Sequence, residues 1–370
     1  MKKKDSIFGG IIAGIICIIV GIGLLWWNEG RTVRTQKGIN EAKENYVQVK
    51  SDKVDSKYEG KLVATNGKLD ISNSEELVDA TFNIKVASAK MNRVVEMYQW
   101  SEDCHTDDNN VEKCTYKKEW SDDLIDSSNF NKSGHENPSS MPYESETYLA
   151  EDVKLGAYDL PDSLVDNLST KKEVKNEELS DQFADKIEGY AVDGKYITNV
   201  KADEDPVIGS VRVSFEYNDA DSASVLAVQS GNTFAKYNTK SGTTIFRIKE
   251  GIHQGSEIIK DLIDENNFFK WLLRALGTLL VILGIGSIFS PIQKLTNFIP
   301  LLGGAVSLVT GLISFVAGLA ISLIVIALAW FRFRPVLSIS LLVVVAILIV
   351  ILVCIKKKTK NASKELKEGE

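Results

Sequence analysis

Residues able to do chemistry are sparse in this chain. It has three histidines, His105, His135 and His253. No two follow the His-Glu-x-x-His spacing that sets two zinc ligands on one helix face. No Gly-x-Ser-x-Gly elbow exposes a serine nucleophile. The stretch GKLVATNGKL from Gly60 resembles a phosphate loop, but its spacing is wrong and Leu69 stands where a magnesium-binding Ser or Thr belongs. STKK at Ser169 fits Ser-x-x-Lys, a pattern short enough for chance. The acidic groups around Asp107 and Asp203 do not match a calcium loop and read as solvated turns. Neither a catalytic constellation nor a metal or cofactor site is expected.

Two stretches remain. NFNKSGHENPSSMPYES, Asn129 to Ser145, has the densest turn chemistry. One reading is an ordered surface loop whose Asn and Ser groups bond nearby backbone. The other is a recognition or active loop in which His135 works with Glu136 or Asn137, flanked by Gly134 and Pro138. Cys104 and Cys114 flank a polar turn between VEMYQW and TYKKEW, a hairpin-like setting. In an oxidising compartment the pair can close as a disulfide; the alternative is two unpaired thiols. A metal shared with His105 is the weakest reading, since no Cys-x-x-Cys accompanies it. Cys17 and Cys354 lie in apolar runs and read as small apolar residues.

The elements that position these residues include membrane spans. Ile7 to Trp27 is a run of about twenty uncharged residues, enough for a ~30 Å hydrocarbon core at ~1.5 Å per residue. Trp26 and Trp27 suit the interface. The N-terminal lysines also fit a signal peptide, but the run is long for one and no small-x-small cleavage site follows. Trp271 to Phe289 is a second candidate span, followed by a break at SPIQKLTNFIP. Leu301 to Phe331 is too long for one untilted helix, so its start is an oblique or interfacial piece and Leu308 to Phe331 the span. Val336 to Ile355 makes a fourth, after FRFRP. The expected division is 1–30, first helix and rim; 31–270, folded domain; 271–355, membrane block; 356–370, basic tail.

Lys356, Lys357, Lys358 and Lys360 follow the last span, and Lys294 falls on their side of an even helix count. Basic loops stay in the cytoplasm, so both termini are expected there and the domain outside or in a lumen. Arg332 and Arg334 oppose that orientation, although arginines at a rim snorkel. From Arg31 to Lys270 the chain has 45 acidic and 30 basic residues. An acidic middle argues against nucleic acid, which needs a dense basic surface.

Within the domain, VEMYQW and VRVSFEY alternate as half-buried strands, with Val211, Val213 and Phe215 on one face. Gly231-Asn232 marks a hairpin. LPDSLVDNLS and GSEIIKDLIDENNFFKWLL read as helices, the second running into a span. The fold class is therefore an α+β, strand-rich extracytoplasmic or lumenal domain inserted between one N-terminal and about three C-terminal transmembrane helices.

The chain resembles the transmembrane protein 43 family, also called LUMA. The matching stretches are WWNEGR, VEMYQW, KEW with SSNF, GHENPSSM, VRVSFEY, TKSG and WFRFRP, in the family's order and across nearly the whole chain. The resemblance implies one N-terminal span, a large lumenal domain and three C-terminal spans. It also implies self-association, an endoplasmic-reticulum or inner-nuclear-membrane setting in animals, and contacts there with nuclear-envelope proteins such as emerin and lamins. No enzymatic activity is implied. The lysine-rich composition suits a bacterial member, for which the inner membrane is the setting and the nuclear partners do not carry over. The Cys104/Cys114 pair is a departure from the family.

These readings give two sites beyond the loop. Trp26, Trp27, Asn28, Glu29, Gly30 and Arg31 form a membrane-rim joint. There Gly30 permits a turn, and Glu29 pairs with Arg31 or reaches the corner of Arg332, Arg334 and Pro335. Gly10 and Gly14 open a small-xxx-small face for helix packing between copies, with packing inside one monomer as the simpler alternative. The expected function is a non-enzymatic membrane scaffold that sits in the lipid bilayer, forms a homo-oligomer and organises unidentified membrane protein partners. The alternative is a membrane-bound hydrolase or lipid-modifying enzyme using the loop around His135.

Overall fold

The computed structural model describes residues 7–106, 112–183, 187–296, 300–331 and eight positions between 339 and 350, with side chains from 9 to 289 and from 308 within those bounds. The chain divides into two compact units. One holds residues up to Lys43, the segment Asn238–Thr243 and everything from Ile259; the other holds Glu44–Tyr237 and Thr244–Ile258.

The strand-rich unit contains two seven-stranded sheets. In the first, Ser222–Ser230 lies between Leu62–Asp70 and the short strand Thr233–Ala235. Ser230 pairs with Thr233 across Gly231-Asn232, and Gly231 takes a φ of 61°, the left-handed conformation a two-residue turn needs. In the second, Lys90–Thr106 pairs with Val211–Tyr217 on one side and Glu112–Ser121 on the other. Alternation decides what faces inward. Val95, Met97, Val211, Val213 and Phe215 are buried, and join Val63, Ala223 and Val225 of the first sheet in a shared core. The charged stretch around KNEELSDQ forms the helix Asn176–Phe183, whose Leu179 and Phe183 reach that core. One ionic hub sits at the edge of the core, with Arg93 and Asp79 buried and Glu146 exposed. Arg93 gives Nη1 to Asp79 at 2.5 Å and Nη2 to Glu146 at 3.0 Å, while Nε donates to the Glu144 carbonyl. Tyr148 donates to Asp79 at 2.8 Å, so every charged group in the hub has a partner.

The helical unit is built on three long helices. The first spans Ile7–Asn45, the second Gly255–Thr296 and the third Pro300–Phe331. Among the described residues these are the helices long and apolar enough to cross a membrane. Most of Val336 to Ile355, where a fourth is expected, lies outside the described residues, as do Arg332, Arg334, Pro335 and the lysine tail.

Three expectations need correction. The first helix does not end at the rim. Leu25, Asn28, Glu29, Thr32 and Val33 form one buried stripe at helical spacing, with Ile39 and Ala42 further on. The polar members hide the periodicity from a hydropathy reading, and the strand-rich unit begins only at Glu44. Gly30 therefore sits inside a helix rather than in a turn. Finally, the second helix runs past Pro291 to Thr296, through the expected break; prolines inside membrane helices are tolerated.

The first and second helices pack antiparallel through glycines. A Cβ on Gly14 would lie 2.6 Å from the Gly284 carbonyl, and one on Gly21 2.8 Å from that of Gly277. Bare backbone against backbone is the close approach that replaces the missing hydrophobic drive in lipid. The contact open to Gly14 is thus taken up within the chain, not left for a second copy. On the third helix, Gly318 is pressed against Ile282.

Candidate functional site

The rim of the helical unit is a network of polar groups closed off from solvent. Asn28 is 0 % exposed, Glu29 1 % and Asn266 3 %. Asn28 donates from Nδ2 to the Lys270 carbonyl at 3.0 Å, and Asn266 from Nδ2 to the Thr32 carbonyl at 3.2 Å. The Glu29 carboxylate is held bidentately by Arg274, Nε at 2.6 Å and Nη2 at 3.0 Å. The Arg274 guanidinium lies 4.8 Å from the ring centre of Trp271 and 5.1 Å from that of Trp330. A planar, weakly hydrated cation between two indoles is well suited to burial. Arg31 turns instead to the Asn28 and Asn266 side-chain oxygens at 3.3 and 3.4 Å. Glu29 is therefore joined to Arg274 and not to Arg31. Around this network Trp26, Trp27, Phe268, Trp271 and Phe331 are exposed, an aromatic belt at the expected membrane boundary.

Sequence reasoning missed Arg274, although the signal was present: a lone charge inside WLLRALG. Ionisable residues within spans are expensive and are kept with a partner. It also missed Gly277 and Gly284, each seven residues from the next contact on its helix. The TKSG segment docks in this unit too. Thr239 and Thr243 cover Gly38, where a Cβ would meet the Thr243 side chain at 2.5 Å, and Lys240 N–H donates to Glu41 at 3.0 Å.

In the strand-rich unit, the loop of residues 122–145 is fastened by side-chain amides. Buried Gln99 accepts from Ile125 N–H at 2.8 Å and donates to the Asp123 carbonyl at 2.9 Å. Asn137 acts as a surrogate strand residue. Its Oδ1 accepts from Trp100 N–H at 2.7 Å, and its Nδ2 donates to the Trp100 and Ile125 carbonyls at 2.8 and 3.1 Å. Glu136 accepts from Gly134 N–H, which holds its carboxyl below the usual range. Gly134 supplies a φ of 88°, and Pro138 packs near Gly209. His135 stacks on Tyr116 at 4.0 Å and meets Trp100 edge-on at 4.4 Å; its Nδ1 is buried without a hydrogen-bond partner. Phe130, Lys132, His135 and Asn137 border an open cavity of about 710 Å³.

Cys104 and Cys114 face each other across the hairpin and are bonded, and Asn131 Nδ2 lies 3.4 and 3.3 Å from their sulfurs. Beside them the Tyr116 hydroxyl donates to Glu102, which lowers the pKa of that carboxyl. Glu102 and the two sulfurs are the set of metal-type ligands among the described residues, but sulfurs bonded to each other are not thiolates and do not ligate as such. His253 places Nδ1 2.9 Å from the Glu257 carboxylate and Nε2 2.9 Å from the Glu250 carbonyl, so neither ring nitrogen is paired with a hydroxyl or thiol. Ser169 of STKK donates to Glu250 at 2.6 Å, which ties its segment to the strand Arg247–Glu250.

Long apolar helices closed by a buried ion pair, together with a two-sheet α+β unit, define an integral membrane protein with several spans. Residues 97–335 match the family model described as Transmembrane protein 43, and the chain belongs to that family. It is 28% identical over 354 residues to Transmembrane protein 43 of Pongo abelii, covering 90% of this chain and 87% of that protein. To the protein of that name from Mus musculus it is 29% identical with the same coverage. To the Drosophila melanogaster homologue it is 27% identical, over 89% of this chain and 90% of the relative. No solved structure matches. None of these names specifies an enzymatic activity.

Proposed function

We propose that the protein is a non-enzymatic membrane scaffold that self-associates and presents its strand-rich unit, outside the cytoplasm or in a lumen, to membrane protein partners. The observation that carries this reading is how the GHENP residues are spent. Asn137, Glu136 and Gly134 hold backbone in place, and His135 is stacked between rings, so the loop is a fixed surface rather than a set of poised reactants. The buried Nδ1 of His135 is the one feature favouring a hydrolase, and among the described residues no hydroxyl or thiol is hydrogen-bonded to it. The lysine tail supports cytoplasmic termini.

Cross-linking in native membranes followed by pull-down tests the scaffold. Recovery of dimers or of a reproducible partner lost on replacing the loop supports it; a monomer with no partner overturns it. Because Gly14 is needed inside the chain, the self-association variant is Gly23→Ile, at a position with open space around it. Orientation is tested by impermeant thiol labelling of Phe130→Cys and Ala362→Cys in a cysteine-free background. Label entering from outside only at 130 supports the proposed topology, and the opposite pattern reverses it.

A further inference from the structure

A groove of about 490 Å³ runs between the second and third helices, walled by Ala275, Leu279 and Ile282 on one and Leu319, Leu323 and Ile326 on the other. Its mouth is formed by Trp271 and Arg274. Trp271 is 64% exposed and belongs to the aromatic belt, so the mouth opens at headgroup level and the groove runs into the hydrocarbon layer. Arg274 gives Nε and Nη2 to Glu29, its hydrogen-bond partner among the described residues, and it lines the mouth of the groove. At this level Arg31, Lys270 and Arg274 stand against two carboxylates, Glu29, which holds Arg274, and Glu265, whose charge acts on Arg31. One positive charge is thus in excess above an apolar channel.

We infer that this groove holds one anionic glycerophospholipid of the surrounding bilayer, an acyl chain along its walls and the phosphate at Arg274. The fork geometry of a guanidinium allows one edge to serve Glu29 while the remaining nitrogen serves a phosphate oxygen. Basic pockets between membrane helices select anionic headgroups for the same electrostatic reason. The lipid fills the channel, caps the buried ion pair and ties the third helix to the rim.

The test is native mass spectrometry of the full chain in lipid-free detergent, with phosphatidylglycerol and phosphatidylcholine of identical chains added in turn. One phosphatidylglycerol should be retained per chain, preferred by about tenfold over phosphatidylcholine. Ala275→Phe, at an exposed wall position, should abolish retention of both lipids while leaving the lipid-free melting temperature unchanged. Arg274→Lys should keep binding but lose the preference; if it fails to fold, Ala275→Phe still decides. Equal retention of the two lipids by wild type, or undiminished retention by Ala275→Phe, overturns the inference. So does a benzophenone side chain at position 279 that captures residues 336–355 or a second copy instead of phosphatidylglycerol.

Discussion

Glu29 on the first helix and Arg274 on the second form a bidentate ion pair in which the carboxylate is almost wholly shielded from solvent. Removing one partner leaves the other charge buried without compensation, which costs about 3–5 kcal/mol. Arg274→Met and Glu29→Gln should each lower the melting temperature in detergent sharply. Glu29→Leu with Arg274→Met should recover most of the loss, because a well-packed apolar pair is close to neutral. Additive losses in that double-mutant cycle would show that the pair is not coupled.

Glycines on the first helix should divide by what faces them. Gly21→Ile forces a side chain into the Gly277 carbonyl and Val281, and overpacking of this kind costs ~3 kcal/mol. Gly30 has nothing within 4 Å of a Cβ. Gly30→Ala should therefore hold or raise stability, by up to ~1 kcal/mol from helix propensity. Thermal melts of the two variants check this, and a destabilised Gly30→Ala would contradict the helical rim.

Asn137→Ala removes three hydrogen bonds to backbone groups of Trp100 and Ile125. At about 1 kcal/mol net apiece, a loss of roughly 2–3 kcal/mol follows, localised to the loop. Hydrogen exchange at the Trp100 amide should rise while the Val211–Tyr217 strand stays protected. Asn137→Asp should not rescue, because a carboxylate cannot donate to the two carbonyls.

Glu250 sets an acid limit. Burial alone pushes its carboxyl up, but the Ser169 hydroxyl and amide and the Lys171 ammonium outweigh that and hold its pKa below the ordinary value. A depressed carboxyl contributes stability that is present above its unfolded pKa and is lost as pH falls through the lower folded value. Stability should therefore decline below about pH 4.3. In Glu250→Gln that decline should be shallower, on a lower plateau at neutral pH. An identical acid slope in the variant would remove Glu250 from the account.

Much of the fold is legible in the sequence because it follows from period alone. Val211, Val213 and Phe215 point inward by alternation, and the apolar runs that become the long helices are set by composition. The rim is less legible because its inward stripe is polar. Asn28, Glu29 and Thr32 look like a water-facing flank unless Arg274 and Asn266, more than 230 residues away, are known to face them. Asp79 lies only 14 residues from Arg93, but nothing local announces Tyr148, 55 residues further on, as a member of their hub. Gly14 shows a different limit: spacing reveals that a close approach is made, not whether the partner lies in the same chain.

The seam between the first two helices has contacts at Gly14, Gly21 and Asn28 on one side and at Gly284, Gly277 and Lys270 on the other, seven residues apart in each case. It works as a vernier. Sliding one helix by a turn would set carbonyls against side chains in the lipid and, in the same movement, pull Glu29 off Arg274 above it. The two halves of the seam fail at the same displacement, so the pair has a single permitted register. The length of rod on either side of the aromatic belt is then a fixed dimension of the protein.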